Sequence, residues 1–340
     1  MAKSTTYESF ISSSGSLVGL SSYGSLVGQP GGKGRPTPPP TTYGADPEFM
    51  LFDTKQNKIV SAIGVLKNDK YSPVDLKGGI MMYADNVLVE FSFPPAKSIM
   101  TFLQNMRVVL SRGQKALGPR YRLIAMASHV YDDEELADPK AREGGCSPNF
   151  NVHTQRANLP PDFQGGLRTG SFHIHVGDEA LKDKEQKDNM IRWMDMNLGV
   201  ASILFDKDTS SPKRRDLYGR AGEFRPTPYG VEYRVLGPYS LRSPRLTALS
   251  LCLTHVALEN AKTKPAHSRL TKQAETIINS NNRVGARDFI GDISVWMRNE
   301  ITRPMAPDLY RDWGIGPEGE CLEVSFTDCS DLINAFLCEP

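Results

Sequence analysis

From residue 43 onward, apolar and polar residues alternate in a series of short segments, the two-residue period of strands with one buried face. Ala45–Phe52 and Val87–Phe93 alternate most regularly. Lys58–Val65 and Ile80–Tyr83 read as further strands, and Asp85-Asn86 as a turn. After Pro94 and Pro95 the period changes: Ile99, Phe102, Leu103, Met106 and Leu110 fall on one face of a helix. Strands are predicted at Arg122–Ser128, Ser171–Val176 and Val231–Leu236. A helix is predicted from about Lys187 to Phe205, with Met190, Met194, Leu198 and Phe205 as a buried stripe. Ser243 then caps a helix with Pro244 at its first position, and Leu246, Leu249, Leu253 and Val256 form its apolar stripe. The chain reads mostly helical from Thr263 to Ile301 and irregular beyond. So many strands without regular helical crossovers predict an α+β domain on an antiparallel sheet rather than a doubly wound one.

Residues 1–42 have a different texture. They are rich in Ser, Gly and Pro, and Gly-Ser-Leu-Val-Gly occurs twice, from Gly15 and from Gly24. Ordering such a segment returns little burial, so it is read as a flexible tail. Gly31-Gly32-Lys33-Gly34 is not a phosphate loop, because no strand precedes it and no Ser or Thr follows the lysine. The remainder, 43–340, is read as one domain: a catalytic sheet region to residue 238 and a mostly helical part from 239.

The formal net charge of +1 favours neither nucleic acid nor an anionic membrane as partner. No apolar run approaches the roughly 20 residues that span a bilayer. Five cysteines (Cys146, Cys252, Cys321, Cys329, Cys338) show no CxxC spacing and read as free thiols. Cys146 with His153 is read as part of a loop between strands rather than as a nucleophile pair. These features predict a soluble, cytoplasmic protein, in the host cytoplasm if viral.

The candidate chemistry follows from strand alternation, because residues two apart share a face. Asp46 and Glu48 oppose Phe49 and Leu51; Glu90 opposes Val89 and Phe91; His173 and His175 oppose Phe172, Ile174 and Val176; Glu232 and Arg234 oppose Val231, Tyr233 and Val235. Open sheet faces favour Thr, Ser and Lys, whereas these strands carry acids and His-x-His. Acids crowded on one face repel unless a cation sits among them, and hard oxygen ligands with an imidazole suit Mg²⁺ or Mn²⁺. Arg214, Arg215, Arg220, Arg225 and Arg234 add planar forks suited to phosphate and carboxylate.

Gly-Ala-Asp-Pro-Glu-Phe, Asp-Asn-Val-Leu-Val-Glu, His-Ile-His-Val-Gly, Gly-Arg-Ala-Gly-Glu-Phe-Arg and Tyr-Gly-Val-Glu-Tyr-Arg occur in that order between Tyr43 and Pro238. The ordered set resembles the carboxylate–amine ligases (amidoligases) of the glutamine synthetase and glutamate–cysteine ligase superfamily, and most of all their tailed-phage branch. That resemblance implies a curved antiparallel sheet forming half a barrel, with helices on its convex side. It also implies ATP and Mg²⁺ (or Mn²⁺), an acyl-phosphate intermediate, and a small-molecule or peptide carboxylate joined to an amine. Asp46, Glu48, Glu90, His173 and Glu232 match the metal ligands, and Asp85 either joins Glu90 at the metals or only shapes a hairpin turn. His175, Arg215 and Arg220 resemble nucleotide contacts, and Arg234, Arg220 and Arg225 resemble the catalytic arginines. Relatives more often carry Glu where this chain has Asp46. Relatives also often self-associate, so a homo-oligomer is among the expected forms.

Three other readings compete. A His-x-His zinc hydrolase needs more ligands than six histidines offer. A guanidino phosphotransferase would share the metal and phosphate sites. A non-catalytic scaffold has no reason to keep mutually repelling acids. Because the tail carries none of the candidate residues, its removal is expected to leave the melting temperature and ATP turnover nearly unchanged. Assaying the truncated and full chains side by side checks this, and a large loss of turnover would give the tail a part in catalysis.

Overall fold

The computed structural model describes residues 39–142, 149–158, 165–291, 298, 301–302, 308–321 and 329–330. The tail up to residue 38, Cys146, Cys338 and parts of the predicted C-terminal helical stretch lie outside these residues.

Thirteen strands are present among the described residues: β1 (Thr42–Asp53), β2 (Lys58–Val60), β3 (Val74–Asp75), β4 (Met81–Asp85), β5 (Leu88–Ser92), β6 (Tyr121–Ile124), β7 (Ser128–Val130), β8 (Asn149–Asn151), β9 (Arg156–Asn158), β10 (Leu167–Thr169), β11 (Phe172–Gly177), β12 (Glu223–Thr227) and β13 (Gly230–Tyr233). The longer helices are α1 (Ile99–Leu117), α2 (Lys184–Met194), α3 (Val200–Phe205), α4 (Ser211–Leu217), α5 (Pro244–Thr263), α6 (Ser268–Asn279) and α7 (Arg283–Ile290). The fold is mixed α+β around one large antiparallel sheet of order β3-β4-β5-β1-β11-β13-β12-β8-β9, with β2 and β6 also paired to β1; β7 and β10 make a separate ribbon.

Strand β1 organises the sheet by dividing its length among partners. Thr42–Pro47 pair with β11, Glu48 and Phe49 with β5, and Met50–Asp53 with β6. It starts at Thr42, one residue inside the segment read as tail, and the Thr41 hydroxyl donates to Asp178. One face of the sheet packs on the helices: Phe49, Leu51, Phe91 and Tyr233 share the main core with Phe102, Met106 and Met190. On the other face Met50, two residues beyond Glu48, is fully buried in a small cluster with Val87, Leu88, Tyr131 and Leu136. That cluster walls off one end of the acidic face from water.

Several boundaries differ from the sequence reading, each for a local reason. The predicted strand Arg122–Ser128 breaks into β6 and β7, because side chains take its main-chain donors: Ala127 N donates to Asp208 (2.6 Å) and Ser128 N to Ser210 (2.9 Å). The hairpin β8–β9 and the strand β12 carry no alternating apolar signal and were not expected. The helix expected from Lys187 begins at Lys184, where Asp183 caps it, and passes through a π turn at Asp195–Gly199 before α3. Strand β13 ends at Tyr233 rather than Leu236. Ser243 does cap α5, accepting from Leu246 N at 3.2 Å, but α5 is buried on most sides, with Ala248, Leu251, Cys252 and Leu258 inside as well as Leu246, Leu249 and Leu253 of the predicted stripe, whose Val256 is only half-buried. Among the described residues, no helix is long and apolar enough to cross a membrane.

Helix α1 can approach the sheet because it carries glycine at 113. A Cβ there would lie 2.6 Å from the ring of Phe91, which is fully buried. Helix propensity favours alanine by about 1 kcal/mol, whereas overpacking a filled core costs about 1–3 kcal/mol. Gly113→Ala is therefore expected to destabilise the protein, as measured by urea unfolding; unchanged or higher stability would show that the ring yields freely.

Candidate active site

Alternation and register together decide which side chains meet. Glu48 lies opposite Glu90, Asp46 opposite His173, and His175 opposite Glu232, which in turn lies opposite Arg225. Tyr83 on β4 lies opposite Glu90, and Asp85 falls on the same face two residues further. Arg234 follows directly on β13, its backbone N–H bonded to Glu223 O at 3.0 Å. The acids, both histidines, Arg225 and Arg234 thus share the sheet face away from the helices.

Two groups of possible cation ligands form there. Asp46, His175 and Glu232 each offer an atom within 4.8 Å of the others, and Glu48, Asp85 and Glu90 do the same. His173 sits between the groups, with Nδ1 3.5 Å from Glu232 and 3.9 Å from Glu48. Glu232 is held by Arg234 on one oxygen and by Arg225 on the other at 2.8 Å. Tyr218 joins this network: its hydroxyl accepts from Arg234 Nε and lies 3.3 Å from His173 Nε2.

Electrostatically the two groups are unlike. Burial first, then the charge of Asp85, push the Glu48 carboxyl up to about 8 against the opposing Arg234 and Arg214. Glu90 is raised well above its ordinary range by burial and then by Asp85, Asp46 and Glu48. Burial raises Asp85 too, against the attraction of Lys70. At Glu232 burial also works against the charge, but Arg234, Arg225 and His175 outweigh it and hold the carboxyl at about 2. His173 is kept neutral, well below its ordinary value, by burial and then by Arg234 and Arg225. His175 is raised, since Asp46 and Glu232 overcome its burial.

The residues fit a divalent cation. Burial and mutual repulsion raise Glu48, Asp85 and Glu90 together, the situation a hard cation among them reverses. His175 Nε2 is paired with Asp46 at 3.1 Å, while its Nδ1 meets the Tyr229 hydroxyl at 2.8 Å. A ring nitrogen facing carboxylates, with the other nitrogen oriented by a hydroxyl, is the arrangement of a histidine ligand.

Of the positions singled out in the sequence, Asp46, Glu48, Glu90, His173, His175, Arg225, Glu232 and Arg234 come together. Arg215 and Arg220 do not. Arg215 is buried with its guanidinium on Asn281 (2.9 Å), and Arg220 is exposed with its guanidinium turned back to the carbonyls of Arg215 and Asp216. Arg214 pins the backbone beneath the site, donating to Gly170 O and Val235 O, each at 2.8 Å. Asp85, which the sequence leaves between ligand and turn residue, falls with Glu48 and Glu90, as alternation along β4 sets it with Tyr83. Tyr218 lies in a connection without periodicity and left no signal. The buried Glu223, which accepts from Gly219 N and Asn158 at 2.8 Å and from Asn149 at 3.3 Å, lay on the unpredicted β12.

Residues 164–300 match the family described as "Phage phiEco32-like COOH.NH2 ligase-type 2". Over that stretch the chain is similar to the carboxylate–amine ligases. The match bears out the resemblance read from the motifs. It takes in His173, His175, Arg225, Glu232 and Arg234 and continues into the helices α5 to α7, to which the motifs did not extend; Asp46, Glu48 and Glu90 lie ahead of it. No curated protein sequence matches significantly. Among solved structures, the chain is similar to a bifunctional glutathione synthetase from Pasteurella multocida, at 10% identity over 74% of this chain and 48% of that one, with a TM-score of 0.36. It is also similar to apo GmaS without ligand, at 11% identity over 76% and 66% of the two chains, with a TM-score of 0.30. Likenesses this distant carry no argument about the site, and the chain spans about half the length of the glutathione synthetase.

The buried acids make a pH prediction for the cation-free protein. Glu48 binds its proton more tightly when folded than when unfolded, so its stabilising contribution is complete below the ordinary glutamate value and lost as pH rises through about 8. Glu48→Gln removes that loss. In EDTA its melting temperature is expected to exceed the parent's by a few degrees at pH 9 and to match it near pH 4. Thermal melts by circular dichroism across this range check it, and parallel profiles would show that Glu48 does not carry the strain.

Proposed function

We propose that this chain is an ATP- and Mg²⁺-dependent ligase that joins a carboxylate to an amine through an acyl phosphate, on a sheet curved into the half-barrel of the glutamine synthetase-like fold. The observation that carries this reading is the crowding of Asp46, Glu48, Asp85, Glu90 and Glu232 on one walled sheet face, beside Arg225 and Arg234. The family match supplies the reaction class for the strands β11 to β13.

A carboxylate is a poor electrophile and must first acquire a better leaving group. One of its oxygens forms a bond to the terminal phosphorus of ATP and ADP departs; the amine nitrogen then attacks the carbonyl carbon, phosphate leaves, and the nitrogen loses a proton. Asp46, His175 and Glu232 would hold one Mg²⁺ and Glu48, Asp85 and Glu90 another, with His173 between them. Mg²⁺ would supply neutralisation of the phosphate charge. Relative to the sequence reading, this assignment moves His175 from nucleotide contact to cation ligand and takes Asp85 as a ligand rather than only a turn residue.

The chain's own side chains do the remaining work. Arg234 and Arg225 approach from one side and present planar forks to charge that builds on the transferring phosphate. Tyr218 fixes the Arg234 fork, and Glu232 orients both guanidiniums. The cluster around Met50 and Tyr131 keeps water from one end of the face, where hydrolysis would waste the acyl phosphate.

The test is a screen of acid and amine pairs with ATP, reading ADP release together with product mass. With a productive pair, Arg234→Lys keeps the charge but loses the fork, and turnover is expected to fall by the roughly 10²–10³ of a lost oriented donor. Nucleotide affinity by calorimetry should change little. Turnover at the parent rate would remove Arg234 from the chemistry, and ADP release with a phosphorylated acceptor in place of an amide would overturn the ligase reading.

A further inference from the structure

On the helical side of the sheet, directly behind the site, a chain of buried polar groups crosses an otherwise apolar core. Tyr233, fully buried, donates from its hydroxyl to Asp195 Oδ1 at 2.8 Å, and Asp195, also without exposure, meets His153 Nε2 through Oδ2 at 2.7 Å. Both carboxylate oxygens are therefore committed. His153 is fixed in turn by its backbone N–H, which donates to Asn151 Oδ1 at 2.9 Å.

The surroundings are shaped to admit these groups. Asp195 opens the π turn Asp195–Gly199, a local expansion common at functional sites. At the end of that turn, a Cβ on Gly199 would lie 2.6 Å from the Tyr233 hydroxyl. A Cβ on Gly222 would lie 2.5 Å from the His153 ring. Gly222 directly precedes β12, which pairs with β13. Two glycines and a widened helical turn thus make room for one hydrogen-bonded chain.

Stability alone does not account for it, because well-packed apolar side chains are usually as good as or better than a buried ionic group. What such a chain provides is orientation. Tyr233 stands between Glu232 and Arg234 on one strand, and alternating side chains point to opposite faces. Fixing the Tyr233 hydroxyl from behind fixes the twist of the strand, and with it the angle at which Glu232 and Arg234 enter the site.

We propose that His153, Asp195 and Tyr233 form a positioning chain that sets the geometry of Glu232 and Arg234 from the opposite side of the sheet. None of the three touches substrate. The inference rests on the ligase reading of the site, in which Glu232 holds a cation and Arg234 serves the transferring phosphate.

The experiment measures kcat, KM for ATP, and Mn²⁺ binding by electron paramagnetic resonance on the full chain, with Glu232→Gln as the control. Tyr233→Phe is expected to lower kcat and weaken Mn²⁺ binding by about tenfold, the lower end of effects from ligand-orienting partners, with KM for ATP within about twofold. His153→Leu should do the same, and His153→Gln, which keeps a donor for Asp195, should recover most of the loss. If Tyr233→Phe and His153→Leu lower only the melting temperature and leave kcat and Mn²⁺ binding at parent values, the chain is merely structural and the proposal falls. If Glu232→Gln itself leaves Mn²⁺ binding unchanged, the cation reading of the site fails and the proposal falls with it.

Discussion

The repulsion among carboxylates on one buried sheet face governs the rest of this structure. Flexible loops would let Asp46, Glu48, Asp85 and Glu90 swing apart, and the site would relax into water. A sheet prevents this, because each acid's place is fixed by a ladder of backbone bonds and by the apolar residues on its reverse. Slipping β1 by one residue would send Glu48 into the core and Phe49 into the site. The register is therefore held by the same alternation that assembles the charges. The apolar layer of Phe49, Leu51, Phe91 and Phe172 supplies the holding energy, and the acids use part of it.

The two halves of the face meet this constraint differently. On the β11–β13 side the guanidiniums of Arg225 and Arg234 already neutralise Glu232, so it is charged and oriented before anything binds. On the β4–β5 side burial and the neighbouring acids raise Glu48 against the pull of Arg234 and Arg214, and raise Glu90 with it. A face that is satisfied at one end and wanting at the other is directional. An anion is drawn toward the arginines and a cation toward the acids, which is the polarity that a phosphoryl donor with its counter-ion requires.

How much was legible in the sequence depended on whether a signal was periodic. Asp46, Glu48, Glu90, His173, His175, Glu232 and Arg234 could be set on one face because each lies in a strand whose other face is apolar. Strand β12 escaped because Glu223-Phe224-Arg225-Pro226 carries a proline and too few apolar residues, although its Arg225 was found through a motif. Arg215 and Arg220 are grouped with the site through the arginine-rich stretch and the motif that Arg220 shares with Arg225. The short helix α4 and the turn after it point one inward to Asn281 and the other to solvent, and residue proximity does not encode that. The break between β6 and β7 depended on Asp208 and Ser210, some 80 positions along the chain, and no local pattern could show it.

Strand β1 also bears on how the molecule comes into being. It lies near the start of the described residues, yet its first half pairs with β11, and the last acid of the site arrives only with β13. Contacts between such distant parts of a chain are entropically expensive to close and slow to form. During synthesis β1 must therefore wait, with its alternating face and free edge exposed, until the central strands have been made. The hairpin β4–β5, close by in sequence, is the nearest partner that can shield it meanwhile. The strand that centres the finished catalytic face is, on this topology, the one most in need of protection while the chain is incomplete.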